Sequence, residues 1–223
     1  MTRNFRALSF LVAVLLVTPA LFAQNTFGRD ARWEFTLSPL YSLSTGIDFE
    51  GGSQMDTSDE LGFAMGLGYN FGERLNLNFG FQWGSIDYDA DIVDAENPAN
   101  NARISGSYDQ WTTWFGGEFN FLDRPITPFV SGGIGWSWFD TNIPNGLPQT
   151  GCYWDPWYGY ICYNYYPTKT VDAFSYKAGL GLRWDVNPKF FMKAGYEMQL
   201  HQLSNADGDP DFGVIKVDFG FFF

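Results

Sequence analysis

The chain has 223 residues, 45% of them hydrophobic and 20% aromatic, and its 13 basic and 25 acidic side chains give a formal net charge of −12. An acidic balance of that size argues against a nucleic-acid-binding surface. With 23 Phe, 12 Tyr, 9 Trp and 25 Gly, the composition departs from that of an ordinary soluble core and suits an aromatic outside around a crowded interior.

Arg3 and Arg6, the apolar run Leu8 to Val17 and the segment Thr18 to Ala23 have the order of an export signal. The apolar run is too short to cross a bilayer as a helix, and no cysteine follows directly to take a lipid anchor. Residues 1–23 are therefore expected to be removed after Ala23, leaving 24–223 as one domain. That cleavage takes away Arg3 and Arg6 and no acid, so 11 basic and 25 acidic residues remain, a net charge of −14.

Eight segments then alternate at the period of a strand. The first, near 31–43, sets Trp33, Phe35, Leu37, Tyr41 and Leu43 against Glu34, Thr36, Ser38 and Ser42. The second sets Leu61, Phe63, Met65, Leu67, Tyr69 and Phe71 against Gly62, Ala64, Gly66, Gly68 and Asn70. In the third, Leu75, Leu77, Phe79, Phe81 and Trp83 oppose Asn76, Asn78, Gly80, Gln82 and Gly84. In the fourth, near 108–121, Trp111, Phe115, Phe119 and Phe121 oppose Gln110, Thr112, Gly116, Glu118 and Asn120, with Trp114 on the polar face. The fifth, near 128–139, opposes Val130, Ile134, Trp136 and Trp138 to Ser131, Gly133, Gly135 and Ser137. The sixth opposes Phe174, Tyr176, Ala178, Leu180, Leu182 and Trp184 to Ser175, Lys177, Gly179, Gly181 and Arg183. The seventh opposes Phe190, Met192, Ala194, Tyr196, Met198 and Leu200 to Phe191, Lys193, Gly195, Glu197, Gln199 and His201. The last opposes Ile215, Val217, Phe219, Phe221 and Phe223 to Lys216, Asp218 and Gly220.

Connections near 72–74, 122–127 and 185–188 are short, whereas those near 44–59, 86–107, 140–170 and 204–211 are longer and more polar. Alternating strands with short turns at one end and long loops at the other predict an all-β fold, an eight-stranded antiparallel up-and-down transmembrane β-barrel with its short turns in the periplasm. A soluble sandwich would bury one face of each sheet and has no use for aromatics at both ends of nearly every strand.

The longest loop holds Cys152 and Cys162, expected to form a disulfide in an oxidising compartment. Two thiols are half of a tetrahedral metal site, and the one histidine, His201, lies on another strand, so no metal or other cofactor is expected. The aromatic tip from Tyr153 through Tyr166 could serve as a platform for sugars or lipopolysaccharide, but packing over the barrel mouth is the expectation. The run from Asn205 to Asp211 offers oxygen ligands at alternate positions for Ca²⁺, yet it lacks the closing Glu of an EF-hand loop and reads as a solvated acidic hairpin.

With the strand Pro128 to Trp136, its small inward residues and the terminal Phe223, the chain resembles the small outer-membrane barrels of Gram-negative bacteria, a superfamily that includes opacity-type surface proteins and the transmembrane part of outer membrane protein A. The resemblance covers the whole mature chain and implies no particular activity. It implies a bacterial outer-membrane location, contact with outer-membrane lipid and lipopolysaccharide, and recognition of Phe219, Phe221 and Phe223 by the barrel-assembly machinery. His201 and Ser204 look a little like the His/Ser signature of lipid A deacylases, which has one intervening residue. Here two intervene, so alternation sends the pair to opposite faces unless a bulge corrects it, and no acid is placed to orient the imidazole.

Inward-facing Glu34, Glu118, Lys177, Arg183, Lys193, Glu197, Lys216 and Asp218 carry both signs. A barrel of eight strands is just wide enough to be filled by side chains, so these charges are expected to pair across the lumen and plug it. Glu34, Glu118, Arg183, Lys193 and Asp218 count to similar depth in the lower half, while the many inward glycines leave room for cavities. The sequence thus predicts a monomeric, non-enzymatic surface protein serving structure, adhesion or envelope integrity, with a possible host or surface ligand at its outer loops. A narrow channel for small solutes and a lipid A-modifying enzyme are the alternatives.

Overall fold

In a computed structural model that describes residues 28–49, 51–93, 101–144, 147–165, 167–204 and 206–223, twelve strands are found. Residues 1–23, expected to form an export signal, lie outside the described residues, as do Asn205 and Tyr166. Eight strands make the ring: β1 (Trp33–Ser42), β4 (Glu60–Phe71), β5 (Leu75–Ile92), β6 (Ala102–Asn120), β7 (Ile126–Pro144), β10 (Thr168–Asn187), β11 (Phe190–Gln202) and β12 (Asp211–Phe222). Each pairs antiparallel with its neighbour, and pairing of β1 with β12 and of β5 with β6 closes the circle. Closure satisfies the backbone hydrogen bonds within the sheet, which lets strands lie in hydrocarbon.

Register follows from alternation, because a slip of one residue would turn every apolar side chain inward. Trp83, Trp111 and Trp138 stand opposite one another on β5, β6 and β7, all outward, and form part of an aromatic girdle toward the long-loop end. Trp33, Tyr69 and Phe71, with ring centroids 5.0 and 4.8 Å apart in sequence, mark the short-turn end. Phe219, Phe221 and Phe223 also face outward.

The segments expected as outer loops are more ordered than their composition suggests. Residues 86–92 and 102–107 continue β5 and β6 as paired strands beyond the girdle. Within 44–59, β2 (Gly46–Asp48) and β3 (Gln54–Thr57) add to the top of β5. Within 140–170, β7 runs on to Pro144 and β10 starts at Thr168, and between them β8 (Gln149–Asp155) and β9 (Gly159–Tyr165) make a hairpin with its own two-stranded sheet. At the other end β10 extends through Asp185, so that residue belongs to the inner wall, not to a turn.

Several inward glycines are covered by rings from a neighbouring strand. A Cβ on Gly220 would run into the Phe191 ring, and one on Gly135 would meet the Trp114 indole at 2.5 Å. These positions are glycine because an aromatic ring already fills the volume that a side chain would need.

Candidate functional site in the lumen

The lower lumen is a continuous chain of ion pairs. Arg183, from β10, donates to Glu34 of β1 at 2.6 Å, to Glu118 of β6 at 3.4 Å and to Asp185 at 2.8 Å. Lys193 of β11 takes the other oxygen of Glu118 at 2.7 Å and reaches Asp218 of β12 at 3.5 Å. Lys216 lies 3.6 Å from Asp218 and 3.0 Å from Glu197, and Glu197 accepts from Lys177 at 3.1 Å. All eight lumen charges expected from alternation therefore meet in one network. Two members were not foreseen: Asp185, placed in a turn by its neighbouring Asn and Pro, and Arg29, which precedes the first strand and so carries no periodic signal.

Arg29 is the floor. Its guanidinium is buried and pairs with Asp185 at 2.6 Å. The remaining nitrogens donate to the carbonyls of Glu73 (3.0 Å), Leu122 (3.3 Å) and Arg124 (2.6 Å), tying two short turns to the barrel wall. With it the network comprises five acids (Glu34, Glu118, Asp185, Glu197, Asp218) and five bases (Arg29, Lys177, Arg183, Lys193, Lys216), so its formal charge is zero. Neutrality is what burial demands, since an unpaired charge in a dry interior costs several kcal/mol (roughly 3–5 when one partner is removed). Aromatic faces complete the cage, with the Arg183 guanidinium 4.1 Å from the Phe191 ring centre and 5.4 Å from that of Phe222.

Beside the network a cavity of about 70 Å³ lies between its members Glu34, Glu118, Lys177 and Glu197 and the small inward residues Ala64, Gly66 and Gly80 of β4 and β5. It is roofed by neutral side chains: Gln82 and Gln199 exchange amide hydrogen bonds at 3.0 and 3.3 Å, and the Trp114 indole donates to Gln82 at 3.3 Å.

The next layer holds His201, fully buried. Its Nδ1 lies 2.7 Å from the Ser175 hydroxyl and 3.1 Å from that of Ser137, and its Nε2 lies 3.3 Å from the Gln110 amide nitrogen. The Gln110 amide nitrogen, a donor, faces Nε2 and so favours the tautomer whose proton is on Nδ1, toward the serines. That polarity is the reverse of what a base needs to activate a hydroxyl. Phe212 and Phe139 pack edge-to-face against the ring at centroid distances of 5.2 and 5.4 Å. Ser204, paired with His201 in the deacylase-like reading, is exposed in the turn after β11 and is not among these partners. No group of three His, Cys, Asp or Glu suited to a metal occurs among the described residues.

At the top Ile86, Tyr88, Tyr108, Phe139 and Ala173 form an apolar cap, with Met55, Ala90, Ile104, Val171 and Leu203 packed on it. Most of its residues come from the strand extensions and from β3, with Tyr108 and Phe139 at the ends of expected strands and Leu203 just after β11, so loop composition gave little warning of it.

The hairpin β8–β9 does not cover the barrel mouth, contrary to the expectation from its composition. Cys152 and Cys162, directly opposite in the pairing, are disulfide-bonded. Trp154, Trp157, Tyr158 and Tyr160 are 67–87% exposed. A two-stranded ribbon has no third layer to bury them.

A family model described as outer membrane protein beta-barrel domain matches residues 8–223. No curated protein sequence matches the chain. Among solved structures, Neisserial surface protein A superposes with a TM-score of 0.53 at 8% identity, covering 85% of this chain and 97% of its own. OprG of Pseudomonas aeruginosa superposes at 0.54 with 10% identity, covering 89% and 99%. The outer membrane protease OmpT of Escherichia coli reaches 0.43 at 11% identity, covering 92% and 100%. At these identities the first two likenesses concern the fold alone, and the third is too loose to bear on function.

Proposed function

The chain belongs to the outer membrane protein β-barrel domain family and resides in the bacterial outer membrane, and from that premise we propose that it works as a closed, monomeric, non-enzymatic barrel that strengthens the envelope and presents its outer strands and loops to the surroundings. The observation that carries this reading is the filling of the lumen from end to end: a charge-neutral network below, an amide and hydroxyl layer at mid-height and an apolar cap above. A conduction path needs a continuous polar surface, and the cap interrupts it. A catalytic role finds no support either, since the hydrogen-bond partners of His201 among the described residues, Gln110, Ser137 and Ser175, are neutral and buried.

Lipid and lipopolysaccharide are the natural partners of the outward aromatic band, and outward Phe219, Phe221 and Phe223 are the residues that the barrel-assembly machinery would read. A narrow conduit for small solutes is the second reading, favoured by the cavity of about 70 Å³ beside Lys177, Lys216 and Glu197. Planar-bilayer recording separates the two: the closed barrel predicts little steady conductance from the wild type, and large, steady, ion-selective currents would replace it with the conduit. Lipid A from cells with and without the protein should give the same mass spectrum.

A further inference from the structure

The outer hairpin displays rings on both of its faces. Strand pairing sets Trp154 beside Tyr160 on the disulfide face, and Tyr153 with Tyr163, 6.1 Å apart, on the other, while Trp157 and Tyr158 stand at the tip. Exposed apolar surface of this extent marks a contact site in a stable protein. Its composition selects the contact. All six rings are Trp or Tyr, with a polar atom at the edge, and Ile161 is the one branched aliphatic residue between Gln149 and Tyr165. Protein interfaces add Phe, Met and Arg to their Tyr and Trp, and none of those three occurs between Gln149 and Tyr165, while an interfacial lipid anchor offers one apolar face with its back to water. Rings on two faces and a tip, each with an apolar plane and a hydrogen-bonding rim, match a ligand built the same way, as a pyranose is.

Charge narrows the class. The hairpin has no Lys or Arg, and its single charged residue, Asp155, spends one carboxylate oxygen on the backbone amides of Trp157 and Tyr158 at 2.8 and 2.9 Å. The strand ends and loops at the same end of the barrel carry Asp48, Asp56, Asp89, Asp91, Asp207 and Asp209 against Arg103 and Lys169, an acidic balance. Sulfated, phosphorylated or uronic chains would be repelled.

The hairpin is also preorganised. The disulfide fixes the pair at its middle, the Thr150 hydroxyl donates to Asn164 at 2.8 Å near its base, and Gly159 takes the left-handed conformation (φ 77°) that the turn requires. Rigid aromatic side chains on a rigid ribbon lose little entropy on binding.

We propose that the β8–β9 hairpin is a binding site for neutral carbohydrate, with Trp154, Trp157, Tyr158 and Tyr160 as stacking platforms for successive sugar rings. The proposal rests on the outward-facing placement of the long-loop end and is independent of whether the lumen conducts.

The test is titration of the full-length protein in nanodiscs with a panel of neutral oligosaccharides, including maltoheptaose and cellohexaose, and with a heparin hexasaccharide of similar length. Tryptophan fluorescence and calorimetry provide the readouts. The expected result is saturable binding to at least one neutral oligomer, weakened at least ten-fold in Trp157→Ala and Trp154→Ala and weakened in the Cys152→Ser/Cys162→Ser pair, with heat-modifiable migration of the barrel unchanged. No saturable binding to any neutral oligomer at millimolar concentration overturns the proposal, as does preference for the heparin fragment. Binding that survives both tryptophan changes also overturns it, as does concentration-dependent dimerisation abolished by Trp157→Ala. A negative result here with a silent bilayer trace would remove the sugar site and leave the closed barrel standing.

Discussion

Below Gln82 and Gln199 the lumen is closed by ten charges, and above them it is closed mainly by neutral groups and apolar side chains. The two halves line the same ring of strands, yet they obey different rules. A charged interior must balance, because each ion left without its partner costs several kcal/mol, roughly 3–5. An apolar cap needs only the right volume and responds in proportion to what is removed. Sensitivity to mutation should therefore change character at mid-height.

The largest expected effect is in the lower half. Arg183→Met should destabilise the barrel by about 3–5 kcal/mol, because Glu34, Glu118 and Asp185 all lose a partner. Urea unfolding in detergent micelles measures it, and a loss under about 1 kcal/mol would mean that water already screens the network. In the upper half Ile86→Val should cost about 0.5–1.5 kcal/mol by the same assay, a graded response with no charge exposed. A cost near that of Arg183→Met would erase the contrast.

Tyr108 sharpens it further. Its hydroxyl is buried without a hydrogen-bond partner among the described residues, so Tyr108→Phe should be neutral or stabilising, by up to about 1 kcal/mol. A clear loss in the melting midpoint would show that the cap is wetter than its packing implies.

The smallest effect lies at the rim, where Asp59 accepts from the Ser44 amide at 2.5 Å and from the Tyr41 hydroxyl at 3.0 Å. The Ser44 amide, and after it the Tyr41 hydroxyl, hold the Asp59 carboxyl below its usual range. A depressed carboxyl stabilises the folded loop above its ordinary pKa and loses that contribution as the pH falls through the folded value. Hydrogen-exchange protection of residues 43–47 should therefore persist at about pH 5 and fade only in stronger acid, and Asp59→Asn should remove the acid dependence. Fading already at pH 6 would assign the effect to another group.

Much of this contrast could be read from alternation, and the rest could not for reasons of depth and volume. Parity put Glu34, Glu118, Arg183 and Lys193 inward, and the same parity continues to Asp185, where the turn-forming Asn187 and Pro188 masked it. It also put Gln110, Thr112, Ser137, Ser175 and His201 inward without giving their common height, which depends on strand stagger. The glycines looked like space, because only three dimensions reveal that the Phe191 ring covers Gly220. Arg29 precedes the periodic segments, so nothing local announced that its side chain would turn under the floor. The aromatic hairpin read as a cover for the mouth because rings normally seek burial, and the short ribbon that carries them reaches no wall.

The central claim, that the lower lumen is one mutually dependent network, is tested most directly by a double-mutant cycle of Arg183→Met and Glu34→Gln, two residues 2.6 Å apart at their closest atoms. Unfolding free energies of the four proteins should give a coupling of about 1–3 kcal/mol, with the double variant more stable than the sum of the single losses predicts. Additivity within about 0.3 kcal/mol would contradict it.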